Sequence, residues 1–425
     1  MPVGLTPARG LQFMVLFAAG WPAPAQSIDD LVQTALSNNR EYLASLQRVR
    51  EAEALLRQAG VRPAPAVEGE GGSTRLLGAP GSQEYAIAYS HPLETGGKRT
   101  KRVAVATFGL EISKAEADEK RRALTFEVAQ AYVEALNASR KAAVLSDIAR
   151  IDGETLRLVS ARVEEGDAAL LERQLLETEI ARNEAERALA AGRVETSLLA
   201  LQRIGALAPG SAELHPQPAK TGAAPGAELA RRALESRPDL RALRLAEEQA
   251  GAGVDLARAE SSPDITASAR YAYRSAAFDQ FGFDSAGALT PVRDRENVLT
   301  FGFSAPLFTG RKNRANVEAA VVRAREARLR REHLAAAVPT EVSLALQNWE
   351  AARKALDIYD AKILPQAERN LNVIRQAWQL GQSRFLDVLN EQRRVTELRL
   401  TQVDAEAGLR KAWAEIEHAV GGDIQ

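Results

Sequence analysis

Two periodicities alternate along the chain. Apolar residues recur at helical spacing over residues 28 to 60, then in strict alternation over two short stretches, then at helical spacing again through 98 to 165 and 168 to 204. The same order returns in the second half, with helices over 227 to 260, 311 to 380 and 384 to 420 and two alternating stretches between the first two of them. At about 1.5 Å per residue the long stretches reach roughly 100 Å. The two shorter helices of each half, placed end to end, equal the long one, which fits a coiled-coil assembly and exceeds any ordinary globular helix. The last helix carries a seven-residue repeat, Val388, Val395, Gln402, Leu409 and Ile416, with Leu398, Ala405, Ala412 and Ala419 on the companion seam. Pro339 and Pro365 fall inside the second long stretch and predict a kink or break there.

The alternating stretches predict four strands. In the second, Tyr85, Ile87 and Tyr89 alternate with Ala86, Ala88 and Ser90; in the fourth, Leu299, Phe301 and Phe303 alternate with Thr300, Gly302 and Ser304. The third sets Ile265, Ala267, Ala269, Tyr271 and Tyr273 against Thr266, Ser268, Arg270 and Ala272, and the weaker first sets Val67, Gly69 and Gly71 against Glu68 and Glu70. A half-buried soluble sheet gives the same alternation. Aromatics at the ends of the apolar face, behind an export signal, point instead to strands that face lipid on one side and a lumen on the other. Four strands cannot close a barrel, so three chains pooling theirs into about twelve is the expectation. The first hairpin turns through residues 76 to 82, and the second is expected to carry a connection of roughly twenty residues from Ser275 to Arg295, with Asp279, Asp284, Arg293, Asp294 and Arg295 in it.

The chain also repeats itself. Residues 35 to 43 correspond to 233 to 241, 92 to 98 to 306 to 312, and 166 to 172 to 381 to 387. This divides it into a first repeat at 26 to 204, a Pro/Gly/Ala-rich linker at 205 to 226 and a second repeat at 227 to 425. Residues 1 to 25 read as a signal peptide, with Arg9, an apolar run over 11 to 20 and Ala23-Pro24-Ala25 as the cleavage site. No later window is apolar enough for a transmembrane helix, so a membrane crossing falls to the strands.

Charge and composition remove alternatives. With 55 Lys plus Arg against 56 Asp plus Glu, nothing suggests a nucleic-acid partner. Cysteine is absent, which removes disulfides, thiolate metal sites and cysteine nucleophiles. The string Pro92 to Arg99 lacks the first Gly and the Ser/Thr of a P-loop, the four histidines have no ligand spacing, and no GxSxG elbow occurs, so no enzyme activity, cofactor or metal site is expected. Lys98, Arg99, Lys101 and Arg102, matched by Arg311, Lys312 and Arg314, sit at helix N-termini where the dipole disfavours cations. Two readings stand: a basic collar on anionic lipid headgroups of the inner leaflet, or a solvated charge run.

The doubled Ala-Leu motif (Ala35-Leu36 and Ala233-Leu234 with Arg237-Pro238-Asp239-Leu240), the PL-x-TG turns at 92 to 96 and 306 to 310, and the stretch 381 to 400 resemble the outer membrane efflux protein family, the TolC-like channels. The string PLETGGKR with Arg102 is similar to its cobalt-zinc-cadmium efflux branch. The resemblance implies a homotrimer: a twelve-stranded β-barrel in the outer membrane continuing into a periplasmic α-barrel of long helical hairpins, working with a periplasmic adaptor and an inner-membrane pump. It implies that the turns at Gly166-Asp167 and Gly381-Gln382 form the periplasmic tip and contact adaptor or pump. It further implies an aperture lined by Asp387, with Asn390 where a second Asp is common and Glu172 as the repeat-equivalent of Asp387. An exported coiled-coil envelope scaffold and a type I secretion conduit are the alternative functions.

Overall fold

The computed structural model describes residues 27–74, 81–205, 226–307 and 309–422. The expected signal peptide lies outside them, as do nearly all of the linker and most of the first hairpin turn. Nine α-helices and four strands run in the order α1 (Ile28–Asn38), α2 (Arg40–Ala59), β1 (Ala66–Ser73), β2 (Gln83–Leu93), α3 (Lys98–Glu164), α4 (Leu170–Gly205), α5 (Gly226–Ser236), α6 (Pro238–Ala259), β3 (Ile265–Phe283), β4 (Leu289–Ser304), α7 (Thr309–Ile358), α8 (Leu364–Gln379) and α9 (Phe385–Val420) among the described residues. They group into two compact units. One comprises Met1–Asn38, Glu127–Lys220 and Ala355–Lys411; the other comprises Asn39–Phe126, Thr221–Lys354 and Ala412–Gln425. Each unit draws on both sequence repeats.

The helices expected over 28 to 60 and 227 to 260 are each two helices. Asn39 takes an extended backbone (φ −67°, ψ 115°), and its side-chain oxygen accepts the N–H groups of Glu41 and Tyr42, capping α2. In the second copy Arg237 is extended (φ −63°, ψ 124°) because Pro238 follows, and the proline opens α6 where no N–H is required. The short helices α1 and α5 bury corresponding pairs, Leu31 with Ala35 and Leu229 with Ala233. The second long stretch does not break at Pro339, which stays inside α7 between the buried Val338 and Val342. It breaks before Pro365, where a π-helical turn spans Tyr359–Ile363 and the Leu364 N–H reaches back to the Tyr359 carbonyl. That wider turn makes room for a ring that would otherwise press on the preceding turn's carbonyl.

The sheet belongs to the second unit. Its order is β1-β2-β3-β4, antiparallel throughout, and β2 pairs with β3 from Gln83↔Ser275 to Leu93↔Ile265, so the two repeats' hairpins lie side by side. The twenty-residue loop expected from Ser275 to Arg295 is instead a continuation of β3 and β4 as far as Phe283↔Leu289, interrupted by an irregularity between Ala277 and Phe281. The turn itself is only Asp284 to Ala288. The Asp284 carboxylate accepts two backbone N–H groups at 2.9 Å, and Gly287 supplies the positive φ of 80°.

The same unit packs helices around aromatic and charged groups. Trp349 and Trp413 meet edge to face with centroids 6.0 Å apart, and His418 stacks on Phe126 at 4.4 Å. Arg237 donates to both Asp239 oxygens, at 2.6 and 3.1 Å, and to Glu341 at 2.5 Å, while Arg122 donates to the His418 carbonyl. Together these bonds tie α3, α6, α7 and α9.

Candidate functional site

Register settles which strand residues share a face. Gly71, Tyr85, Tyr273 and Asn297 form one cross-strand row; Gly69, Ile87, Tyr271 and Leu299 the next; Val67, Tyr89, Ala269 and Phe301 a third; and Ala267 stands beside Phe303 in the fourth. All the strand residues expected to face lipid therefore lie on one surface, and Phe301 and Phe303 are 75 % and 85 % exposed. Tyr273 is half-buried, and the others are exposed. The opposite surface carries the paired charges. Arg270 bridges Glu70 at 2.6 Å and stands 3.6 Å from Glu84, which Arg274 meets at 3.1 Å. A soluble protein leaves few such aromatic surfaces uncovered.

At the helix end of the sheet, the structure supplies a reason for the cations that local propensity opposes. Arg99 donates to the Gly60 carbonyl at 2.7 Å, and Arg102 donates to Ala59 at 3.0 Å and Val61 at 3.2 Å, satisfying the carbonyls that end α2. Arg102 also bridges Glu94 at 2.6 Å and Lys98 bridges Asp264 at 2.7 Å. These three side chains thus close contacts within the chain. Lys101 is half-buried and Arg314 exposed, and the side chains of Arg311 and Lys312 lie outside the description. In the second repeat Asn313 does the equivalent work, donating to the Ala257 carbonyl at the end of α6. Gly96 and Gly97 hold φ of 67° and 69°, and a Cβ on Gly96 would stand 3.1 Å from the Ala259 carbonyl, so this turn fits against α6 only as glycine.

In the first unit the two hairpin turns share one construction. Gly166 (φ 85°) and Gly381 (φ 73°) each end a helix in the left-handed conformation. The Asp167 N–H reaches the Arg162 carbonyl and the Gly166 N–H that of Val163; Gln382 and Gly381 repeat both bonds to Ala377 and Trp378. This is the double bond of a Schellman ending, and in both copies the next helix starts four residues after the glycine. Gly166, Asp167, Gly381 and Gln382 are all exposed. Behind the turns Val159, Leu176, Trp378, Phe385, Val388 and Leu389 form one buried cluster, with the Arg162 guanidinium 4.7 Å above the Trp378 ring. Asp387 is half-buried and accepts the Arg384 N–H at 3.3 Å, capping α9. Glu172 is half-buried and Asn390 exposed.

One constellation escapes the sequence reading. Asp152, fully buried, accepts from Asn183 at 2.7 Å and Gln392 at 2.6 Å, and Arg375 donates to Gln392 at 3.2 Å, so a polar group on each of α3, α4, α8 and α9 meets in the interior. Burial pushes the Asp152 carboxyl above the ordinary carboxylate range against the pull of its two amide donors. The available signal was a carboxylate on the apolar stripe of Leu145, Ile148, Leu156 and Val159. Among the described residues no three His, Asp or Glu side chains gather as metal ligands, and no helix is long and apolar enough to cross a membrane.

A small antiparallel sheet with an uncovered aromatic face, joined to long helical hairpins, is the make-up of an outer-membrane channel with a helical barrel and a β portion. The sequence pattern of the outer membrane efflux protein family matches residues 31–206 and 229–422, and the chain belongs to that family. It is 23 % identical over 398 residues to the cobalt-zinc-cadmium resistance protein CzcC of Cupriavidus metallidurans, covering 93 % of this chain and 90 % of that one. It is 25 % identical over 451 residues to the pyoverdine export outer membrane protein OpmQ of Pseudomonas putida, covering 93 % and 91 %. Its fold matches the crystal structure of CusC with a TM-score of 0.76 at 20 % identity, over 99 % of both chains. The protein is an outer-membrane channel component of a tripartite efflux system, with its helical part in the periplasm, and its relatives are channels rather than enzymes.

Proposed function

We propose that the protein is a passive homotrimeric exit duct. Three four-stranded sheets join edge to edge, β4 of one chain to β1 of the next, into a twelve-stranded barrel whose aromatic face meets lipid and whose charged face lines the lumen. The observation that carries this reading is the sheet itself, whose two faces are sorted and whose β1 and β4 edges have no strand partner among the described residues. The hairpin turns at Gly166 and Gly381 meet the adaptor or pump, and Asp387, Glu172 and Asn390 line the periplasmic aperture. No residue acts catalytically, and the partner pump selects the cargo. The difference in cargo between CzcC and OpmQ, named for metal resistance and pyoverdine export, supports that last point.

The test is the native mass of the protein extracted in detergent from the outer-membrane fraction. A trimer is expected; a soluble monomer or dimer overturns the duct in favour of a scaffold. Replacing Phe301 and Phe303 by Asp should prevent membrane assembly, because lipid-facing charge is destabilising. Three copies of Asp387 near one axis attract cations, so D387A should lower cation preference in single-channel recordings, and an unchanged preference removes Asp387 from the aperture.

A further inference from the structure

Strand β4 sorts its charges by face. Its pairing with β3 runs without a register shift from Thr266↔Ser304 to Ala277↔Arg293, so alternation places Phe303, Phe301, Leu299, Asn297, Arg295 and Arg293 on the aromatic surface. Asp294 and Glu296 fall on the other. The arginines of that charged surface, Arg270 and Arg274, are matched by Glu70 and Glu84. Arg293 and Arg295 are exposed, and among the described residues no carboxylate pairs with either. Charges placed only to keep an edge strand from pairing would not need to be separated by sign between the two faces.

Their height is specific. Ten residues separate Phe303 from Arg293. At about 3.4 Å per residue and a tilt of roughly 40°, that is about 26 Å, matching the roughly 25 Å apolar band of an outer-membrane barrel. Just below the arginines the Tyr271 hydroxyl donates to the Asn297 side-chain oxygen at 2.8 Å, where the surface changes from apolar to polar. Above them the ribbon turns apolar again, with Phe281, Phe283 and Leu289 exposed. In the proposed barrel, two guanidiniums with no carboxylate partner among the described residues therefore stand together, on the lipid side, at the level of the outer-leaflet headgroups.

We infer that Arg293 and Arg295 form a clamp for the phosphate groups of a phosphorylated glycolipid in the outer leaflet. The planar guanidinium suits bidentate phosphate contacts, and two of them on alternate positions of one strand face offer adjacent forks. The clamp rests on the barrel reading above, since only a membrane-embedded sheet brings this face to lipid. The test titrates the extracted full-length protein with bisphosphorylated lipid A and counts bound lipid by native mass spectrometry. Wild type and R323S, which removes an exposed cation of α7, should bind alike, and R293S/R295S should bind roughly thirtyfold more weakly with its oligomer mass unchanged. R293K/R295K, which keeps the charge, should fall between them. Equal binding by R293S/R295S, equal binding of dephosphorylated lipid A, or displacement of the lipid by an equal concentration of inorganic phosphate overturns the clamp. A wild-type protein that extracts as a soluble monomer fails the barrel reading before any lipid is added; a trimer indifferent to lipid A refutes the clamp alone.

Discussion

The two compact units bury charge in different ways. In the unit that holds the sheet, Arg237 is 5 % exposed and is met by two carboxylates, Asp239 and Glu341. In the unit that holds the hairpin turns, Asp152 is fully buried and its two bonds come from the neutral amides of Asn183 and Gln392. Protonation follows the pairing. Burial works against the charged form of Arg237, yet Asp239 and Glu341 outweigh it and raise its pKa; for Asp152 burial prevails over the amides, and the carboxyl binds its proton more readily than in water. A charge met by its opposite is expensive to unpair, whereas one met only by neutral donors is expensive to keep ionised.

The largest effect expected is at Arg237. R237M takes a buried cation from the half-buried Asp239, which keeps only Arg122 at 3.6 Å, and from the exposed Glu341, and should cost about 3 kcal/mol, read as a lowered denaturation midpoint of the extracted protein. A loss under about 1 kcal/mol would erase the contrast between the units. Next comes His418, whose pKa is lowered to about 4 by burial and by the neighbouring Arg122 and Arg237. The unfolded chain holds that proton more tightly, so stability should fall as pH drops from about 6.5 to 4, by up to about 3 kcal/mol, and H418Q should flatten this dependence.

D152A should cost about 2 kcal/mol by leaving the Asn183 and Gln392 amides without an acceptor, while D152N, which keeps one acceptor and removes the buried charge, should cost less than half of that. Equal losses for the two variants would mean that Asp152 is held as firmly as Arg237. The smallest effect is at the turns. G166A and G381A each force a side chain into the left-handed region and should each cost about 1 kcal/mol, equally, because the two turns share one hydrogen-bond pattern.

Legibility in the sequence followed the range of the interaction. The turns at Gly166 and Gly381 stood out because a Schellman ending is local and needs its glycine. The splits before α2 and α6 carried signals too, Asn39 as a capping residue and Pro238 behind Arg237, but a continuous apolar spacing across both masked them. The outer half of the second hairpin read as a loop because its residues alternate between charged, polar and aromatic types without one apolar face.

Sequence alone determined the helical and strand periods, the duplication and the aromatic face of the strands, since period and alternation express the backbone's own geometry. Only the tertiary structure decided that Arg99 and Arg102 close the end of α2, and that Asp152 meets Asn183 and Gln392, 31 and 240 residues away. The physical reason is that a hydrogen bond between helices depends on which faces meet, and a helix's own spacing says which face is buried without saying against what.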